Sequence, residues 1–424
     1  MPRNLAAEVL EDVLYRKRPL EQSFSDWLGR IRLDGRDRAL SYQLISTTLR
    51  RLGQVDDLIG WCLDRPLPKK AAGAVTILRL GITQLFFLNV PAYAAINTSV
   101  DLAKDRRQGP YKRMINAILR RLDREGAELV NNQDAAKLNT PAWLWGSWAT
   151  AYGEKTCRQI AEAHLSQAPL DLSVKEDAYG WAEKLSGTLL ATGSIRLKET
   201  SSVEELLGFR EGAWWVQGAA AALPVKLMGK IKEMKIVDLC AAPGGKTAQL
   251  AAAGAKVIAI DKSSRRLAKL EKNMARLKLK ANLLVADAVT WRPDSLLDAV
   301  LIDAPCTATG NIRRHPDIQH LKSLRDVKSV INIQRSLLDA AIHMVKPGGK
   351  IIYAICSLQP DEGPELINTF LASGVPVVRQ PILQDEVGGM AEFLTANGDL
   401  RTLPCHLKEL GGIDGFFVAR LIHH

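Results

Sequence analysis

Apolar residues recur at helical spacing along the first 128 residues, and strand-like alternation is absent from this part of the sequence. In the stretch RDRALSYQLISTTLRRL (36–52), Leu40, Leu44 and Thr48 are spaced four residues apart, and the arginines lie on other faces. This period is typical of amphipathic helices, so we predict an all-α domain over residues 1–128. Further helices are predicted at 74–88, 94–107 and 111–124.

Residues 129–230 have a mixed pattern. The stretch TPAWLWGSWATAYGEKTCRQIAEAH (140–164) is helical in character. Three shorter runs rich in β-branched and aromatic residues are predicted to be strands. These runs are LDLSVK (170–175), SIRLKE (194–199) and WWVQG (214–218). We therefore predict a linker and a small α+β subdomain of RRM-like type in this section.

Residues 231–424 alternate between strand-like and helical runs. The strand-like runs are KIVDL before the turn CAAPGGK, KVIAID (256–261), ANLLVAD (281–287), DAVLIDAPC (298–306), IIYAICS (351–357) and FFVARLI (416–422). Helices are predicted at 265–279 and at about 326–345, and Gly348 and Gly349 suit a C-terminal cap for the second. This alternation predicts an α/β fold with a doubly wound, Rossmann-type sheet that binds its ligand at the carboxyl ends of the strands.

Glycines and carboxylates follow these strands. The turn after the first strand lacks the G-x-G-x-x-G dinucleotide pattern, but its glycines let a ligand approach the backbone closely. Its residues are Cys240, Ala241, Ala242, Pro243, Gly244, Gly245 and Lys246. Asp261, Asp287 and Asp303 close the next three strands, where Asp261 suits ribose hydroxyls and Asp287 an adenine amino group. The glycine-rich turn and the three aspartates together predict a nucleoside ligand without a pyrophosphate. S-adenosylmethionine fits that description.

Two cysteines follow neighbouring strands of the predicted sheet. Cys306 comes after the fourth strand and Cys356 ends the fifth, so both thiols are expected at one site beside the methyl donor. The alternative is that each is a buried structural residue, because cysteine is among the most buried residue types. A thiolate beside S-adenosylmethionine is what C5 methylation of a pyrimidine requires, since its addition at C6 turns C5 into a nucleophilic enamine carbon.

A cysteine nucleophile needs activation, because a free thiol has a pKa of about 8.5. Lys246 could supply positive potential. The run Arg313, Arg314 and His315 could do the same, although structural salt bridges explain the arginines equally well. We further hypothesise that Asp303 hydrogen-bonds the ring nitrogen of a cytosine and so stabilises the covalent adduct.

The charge of the chain favours a polyanionic partner. The formal net charge is +11, and residues 1–130 hold 22 Lys/Arg against 15 Asp/Glu. The run from Lys104 to Arg124 contains eight basic residues and two aspartates. On helices with an opposite apolar face, this charge indicates a phosphate-contacting surface, and solvated helix faces are the alternative.

Other features argue against a membrane, secretion or a metal. The N-terminus lacks the apolar core of a signal peptide. The most apolar segment, 74–88, is too short to span a bilayer and contains Arg79. The six cysteines form no C-x-x-C pair, so we expect neither a zinc site nor disulfides, and a cytoplasmic location fits. We expect a monomer.

Several of these stretches carry a resemblance to known families. RDRALSYQLISTTLRR, ILRLGITQLFFLNVPAYAAINTSVDLAK and INAILRRL resemble the NusB-like RNA-binding domain. LCAAPGGKT, DAPCTATGNIRRHPDI, YAICSLQPDEG and GIDGFFVARL resemble the RsmB/Sun (Fmu) family of bacterial 16S rRNA cytosine-C5 methyltransferases. The resemblance implies a NusB-like domain at 1–128, a small middle domain at 129–230 and a class I methyltransferase domain at 231–424.

The resemblance also implies roles for individual residues. Cys356 would be the nucleophile and Cys306 would assist release of the methylated base. S-adenosylmethionine would be bound by the run Cys240–Lys246 together with Asp261, Asp287 and Asp303. The substrate would be RNA, with 16S rRNA favoured, and the reaction 5-methylcytosine formation.

Two positions depart from the family pattern. Ile355 stands where the family usually has threonine, and QGAAAA (217–222) lacks the side chain that would cap the following helix. Two other functions stay open. One is an RNA-binding ribosome-assembly factor with an inactive methyltransferase domain. The other is the same chemistry on tRNA.

Overall fold

The computed structural model describes residues 1–198 and 202–424 of the chain. They form two compact units, the first from Met1–Ser166 and Ile312–Ser323, the second from Gln167–Asn311 and Leu324–His424. The three domains predicted from the sequence have other boundaries, at 128/129 and 230/231. The division of the chain into those three domains therefore stays a prediction.

The first unit is helical, as the apolar period predicted. Its helices are α1 (Pro2–Leu14), α2 (Leu20–Leu28), α3 (Gly35–Arg50), α4 (Leu52–Trp61), α5 (Ala72–Phe87), α6 (Ala92–Asp105), α7 (Lys112–Asn132), α8 (Ala135–Leu138), α9 (Ala142–Tyr152) and α10 (Glu154–His164). Leu44, Ile77 and Leu119 belong to its apolar core. The charge inside the apolar helix α5 is neutralised, because Arg79 Nε lies 2.7 Å from Asp56 Oδ1.

A segment distant in sequence completes this helical unit. Residues 312–323 include the single-turn helix α15 (Ile318–Leu321), and the Asp317 carboxylate accepts a hydrogen bond of 2.9 Å from Leu20 N at the start of α2. Arg50 Nη2 donates to the backbone oxygen of Arg313 at 2.8 Å. The segment is therefore held by buried polar contacts.

The second unit contains all the strands in the described part of the chain. They are β1 (Leu170–Val174), β2 (Thr188–Leu189), β3 (Ile195–Leu197), β4 (Trp214–Val216), β5 (Lys235–Leu239), β6 (Lys256–Asp261), β7 (Asn282–Val285), β8 (Leu297–Asp303), β9 (Val345–Ile355), β10 (Val377–Arg379), β11 (Leu400–Thr402) and β12 (Phe416–His423). Its helices are α11 (Ala178–Lys184), α12 (Ala219–Lys226), α13 (Gly245–Ala252), α14 (Ser264–Leu277), α16 (Leu324–Ile342) and α17 (Pro364–Ala372).

The first four strands form a small antiparallel sheet in the order β2-β3-β1-β4. This matches the three strands predicted in the middle section, although Glu199 of the run SIRLKE lies outside the described residues. Inside the sheet, Asp171 Oδ1 lies 2.7 Å from Arg196 Nε. Asp171 Oδ2 also accepts from Ala219 N at 3.0 Å, so β1 supplies the cap that QGAAAA lacks at the start of α12.

The remaining strands form the predicted doubly wound sheet, in the order β10-β12-β9-β8-β5-β6-β7, with β11 paired to β12. Strands β9, β8, β5, β6 and β7 run parallel, and β12 is antiparallel to β9. The buried stripe of α14 faces an apolar cluster containing Ala241 and Ala259. The predicted α/β fold class is confirmed.

One local prediction is wrong. The helix expected at 326–345 ends at Ile342, so Gly348 and Gly349 do not cap it. Both glycines lie inside β9, where the pairing register with β8 is irregular. Gly348 has a φ of 77°, a conformation that glycine adopts without strain. No helix in the described residues has the length and apolarity needed to cross a membrane.

Candidate active site

The carboxyl ends of five neighbouring parallel strands meet at one edge of the large sheet. β8 and β9 pair with Asp303 opposite Ala354, and β5 pairs with β6 so that Leu239 is opposite Ile260. The glycine-rich turn, the three carboxylates and the two cysteines predicted from the sequence come at or just after these strand ends. The fold therefore brings them to the edge at which doubly wound sheets bind ligands.

The turn after β5 is tightly wound against the sheet. Cys240 and Gly244 both have a positive φ, of 62° and 104°. A Cβ atom at Gly244 would lie 2.6 Å from Leu270 Cγ, so a side chain does not fit at this position. The close approach of α14 explains why the turn carries glycine here.

Beneath the turn, Asp238 is fully buried and accepts a hydrogen bond of 2.6 Å from Thr247 Oγ1. Burial raises the pKa of this carboxyl group to about 7, and the negative charges of Asp303 and Asp261 add to the effect. Burial also raises the pKa of the Cys240 thiol, to about 12, so this cysteine is a neutral structural group.

Asp261 ends β6 and organises the backbone around it. Its Oδ1 accepts from Ser263 N at 2.9 Å, and its Oδ2 accepts from Ala242 N at 3.2 Å. Arg266 Nη1 lies 3.4 Å from the same Oδ2. A carboxylate has about four acceptor positions, so Asp261 can still accept from a ligand hydroxyl.

Two further carboxylates continue this edge on either side. Asp287, beyond β7, accepts from Val289 N at 3.0 Å and lies 2.9 Å from Lys262 Nζ, and the lysine holds the pKa of this carboxyl below its usual range. Asp303 Oδ2, at the end of β8, lies 2.8 Å from Lys246 Nζ. That ammonium group is also 5.1 Å from the ring centroid of Phe416.

The two cysteines lie in direct contact. Cys306 Sγ and Cys356 Sγ are 3.4 Å apart, although 50 residues separate them in the chain. The backbone after β9 is tied to the loop after β8, because Gly310 N donates to Cys356 O at 2.9 Å. The hydrogen bond with Cys356 and burial raise the pKa of Cys306 well above its ordinary value, so Cys306 keeps its proton.

A buried polar cluster that the sequence did not reveal lies behind the cysteines. Glu362 is fully buried, and its carboxylate accepts from Thr307 N at 2.9 Å and from Ser357 Oγ at 2.7 Å. Gln334 Nε2 donates to the same carboxylate at 3.0 Å. The signal available in the sequence was the run QPDEG, one turn after Cys356, but nothing there shows which way its acidic groups point.

The predicted sources of positive potential belong to different compact units. Lys246 lies at the sheet edge, whereas Arg313, Arg314 and His315 belong to the first compact unit. Arg313 is buried there. Among the described residues, no group of histidine, cysteine and acidic side chains is suited to hold a metal ion.

Comparisons with known proteins agree with this architecture. Residues 225–422 match the family model "16S rRNA methyltransferase RsmB/F", and residues 1–124 match the NusB family. PH0851, a solved structure, has a TM-score of 0.77 at 20% identity and covers 99% of this chain and 98% of its own. NSun6 from Pyrococcus horikoshii with SFG has a TM-score of 0.55 at 21% identity, over 67% of this chain and 98% of its own. Both likenesses support the Rossmann-type fold.

Two curated proteins match over nearly the full length. The Ribosomal RNA small subunit methyltransferase B of Cronobacter sakazakii is 33% identical over 99% of this chain and 98% of its own length. The protein of the same name from Pseudomonas putida is 35% identical, with the same coverage. This similarity extends across both the helical region and the sheet region, and the chain therefore belongs to the ribosomal RNA small subunit methyltransferase B family.

Proposed function

We propose that this protein transfers a methyl group from S-adenosylmethionine to C5 of a cytosine in 16S rRNA, with Cys356 as the nucleophile and Cys306 assisting release. The observation that carries the proposal is the 3.4 Å contact between the two thiols at the carboxyl edge of the sheet. A single reactive thiol would suffice for many reactions. Two thiols in contact suit a covalent cycle with separate attack and release steps.

The residues at the sheet edge fit S-adenosylmethionine. Gly244 leaves the turn without a side chain, and Asp261 retains acceptor positions for ribose hydroxyls. Asp287 would accept from the adenine amino group, and the backbone from Cys240 to Lys246 would line the remaining ligand. When bound, S-adenosylmethionine supplies an electrophilic methyl group.

The chemistry at the base then follows from the cysteines. The Cys356 thiolate would add to C6 of the cytosine, and the electron pair would move to C5. C5 would then bond to the methyl carbon as the bond between that carbon and the sulfonium sulfur breaks, and S-adenosylhomocysteine would leave. Loss of the C5 proton to a water molecule would restore the C5–C6 double bond and expel the Cys356 thiolate. Cys306 keeps a proton at the contact with Cys356, so its S–H can hydrogen-bond the departing thiolate and assist release.

Asp303 and Lys246 would orient the base. In the proposal, the Asp303 carboxylate accepts a hydrogen bond from the ring nitrogen N3 when solvent protonates N3 in the covalent adduct, and this contact stabilises the adduct. Lys246 Nζ, 2.8 Å from Asp303 Oδ2, holds that carboxylate in place and adds positive potential at the sheet edge. Since a base inside a stem cannot reach a thiol, the target cytosine must be unpaired or extruded.

The helical unit would hold the RNA. Some of its basic side chains are already paired with acidic groups and are therefore less available for phosphate contacts. Arg106 is engaged by Glu8 and Glu11 at 2.8 and 2.9 Å. Arg107 and Arg113 lie in the same basic run and are exposed, so they are the stronger candidates for phosphate contacts. A ribosomal RNA substrate implies a cytoplasmic enzyme.

The test is a covalent trap. RNA carrying 5-fluorocytosine should form a stable adduct with the wild-type protein, because fluorine cannot leave C5 as a cation. Cys356→Ser should lose both the adduct and methylation of ordinary 16S rRNA. Cys306→Ser should accumulate adduct on ordinary RNA, and Cys62→Ser, in the helical unit, should behave as wild type.

Several outcomes contradict parts of the proposal. Absence of an adduct with wild-type protein refutes the covalent route. Exchange of the two cysteine phenotypes reverses their roles. Adduct and methylation with tRNA in place of 16S rRNA keep the chemistry and change the substrate. Absence of S-adenosylmethionine binding in calorimetry favours an inactive assembly factor.

A further inference from the structure

Glu362 is a buried carboxylate between the two loops that carry the cysteines. It ends the short 3-10 helix Pro360–Glu362 and has no exposed surface. The hydrogen-bond donors that surround it are neutral: a backbone N–H, two hydroxyl groups and a side-chain amide. A buried carboxylate is costly, and such a position is retained where several hydrogen bonds compensate it.

Three of these donors come from the immediate neighbours of the cysteines. Thr307 follows Cys306 and gives Glu362 both its backbone N–H, at 2.9 Å to Oε2, and its hydroxyl group, to Oε1. Ser357 follows Cys356 and donates from Oγ to Oε1 at 2.7 Å. One carboxylate oxygen thus bridges the residue after each cysteine.

A fourth hydrogen bond to the Glu362 carboxylate comes from a residue that also contacts the loop of Cys306. Gln334 Nε2, on α16, donates to Glu362 Oε2 at 3.0 Å and to Pro305 O at 2.9 Å. Both residues that flank Cys306 are therefore tied to the cluster around Glu362. The Thr309 hydroxyl adds a direct link between the loops, because it accepts from Leu358 N at 2.9 Å.

We propose that Glu362 is a positioning residue for the two-cysteine reaction, which holds the loops after β8 and β9 so that both thiols reach the same base. This inference rests on the proposed function and adds a residue to it. Two groups that act in turn on one ring must be fixed within a fraction of an ångström, because small displacements cost large factors in rate. A single buried acceptor shared by both loops provides that constraint.

The main test compares Glu362→Gln with Glu365→Gln, an exposed glutamate three residues further on. Glutamine keeps the size of the side chain but presents an amide N–H₂ to groups that themselves donate. In Glu362→Gln we expect kcat for RNA methylation to fall at least tenfold. KM for RNA and the affinity for S-adenosylmethionine should stay within twofold of wild type. Glu365→Gln should be unchanged.

Two single-loop variants separate positioning from general stability. Ser357→Ala releases the loop of Cys356 and should slow formation of the 5-fluorocytosine adduct. Thr307→Val releases the loop of Cys306 and should leave adduct formation unchanged but slow release, so that adduct accumulates on ordinary RNA. A purely structural role would lower the unfolding temperature without splitting the two steps in this way.

A pH profile gives an independent readout. The negative charge of Glu362 is one of the causes that raise the pKa of Cys306. In Glu362→Gln, alkylation of Cys306 by iodoacetamide, followed by peptide mass spectrometry, should therefore shift to lower pH. A loop that is merely destabilised would alkylate faster at every pH.

The outcomes distinguish this inference from the proposed function. If wild-type protein forms no adduct, the covalent mechanism fails and the positioning role fails with it. If wild type forms the adduct and folded Glu362→Gln keeps kcat within twofold, the positioning role alone is refuted. If Glu362→Gln does not fold, equal adduct and release rates in Ser357→Ala, Thr307→Val and wild type refute it.

Discussion

The buried Asp238 should make the stability of the protein depend on pH in a direction opposite to that of a salt-bridged aspartate. Its pKa is raised from 3.8 to about 7, chiefly by burial. Between these values the folded chain binds a proton that the unfolded chain has released. The contribution of Asp238 to the free energy of unfolding therefore falls as the pH rises from about 4 to 7.

The size of the effect follows from the two pKa values. A difference of about three pH units corresponds to about 4 kcal/mol in total, and about 3 kcal/mol of this is lost between pH 5 and pH 8.5. Asp238→Asn removes the titrating group and keeps an acceptor for the Thr247 hydroxyl. The variant's free energy of unfolding, relative to wild type, should thus improve by about 3 kcal/mol on going from pH 5 to pH 8.5.

Urea unfolding of the full chain at the two pH values measures this difference in the free energy of unfolding. Variant and wild type are compared at each pH, so that the contributions of other titrating groups cancel. Asp298→Asn is the matched control. Lys346 lowers the pKa of Asp298, so this group is ionised in the folded and unfolded states at both pH values. Its difference from wild type should not change with pH. The reasoning is wrong if Asp238→Asn shows the same pH-independent difference.

Two other variants test the turn and the small sheet. Gly244→Ala should weaken S-adenosylmethionine binding at least tenfold in calorimetry, because φ is 104° and Leu270 Cγ would lie 2.6 Å from the new Cβ. Asp171→Asn should lower the free energy of unfolding by about 3–5 kcal/mol in urea, because it removes the carboxylate that pairs with the buried guanidinium of Arg196. The same change weakens the contact with Ala219 N that caps α12.

Each of these variants has a control elsewhere in the chain. Gly348→Ala also places a side chain at a positive φ, but its Cβ meets nothing within 4 Å, so ligand binding should be retained. Asp134→Asn removes an exposed aspartate paired with Arg158, and the free energy of unfolding should change far less than in Asp171→Asn. If Gly348→Ala weakened ligand binding as much as Gly244→Ala, the steric explanation for the turn would be wrong. If Asp134→Asn destabilised the protein as much as Asp171→Asn, burial of the ion pair would not explain the loss.

The grouping of the candidate site residues could be predicted from features that are local in the chain. A carboxylate or cysteine at the end of an apolar run marks a strand end, and parallel strands bring their ends together, so Asp261, Asp303, Cys306 and Cys356 could be grouped in advance. The strands β2, β10 and β11 were missed. They have two or three residues each, which is too short for a period to be recognised, and the equally short β3 and β4 were predicted from their composition instead.

What could not be predicted depends on contacts between distant residues. Glu362 becomes meaningful only when Thr307, 55 residues away, is found against it. The cap of α12 comes from Asp171, 48 residues before Ala219, so the missing side chain in QGAAAA is compensated from another strand. The prediction that Gly348 and Gly349 cap a helix was wrong because two glycines suit a bulged strand as well as a helix end.

The assignment of residues 312–323 to the helical unit has a consequence for biosynthesis. As the polypeptide leaves the ribosome, the helices of residues 1–166 emerge while Asp317 has not yet been translated. The amide of Leu20 then lacks its acceptor, and Arg50 lacks the carbonyl of residue 313. The bundle can therefore reach its finished form only after three quarters of the chain has been made.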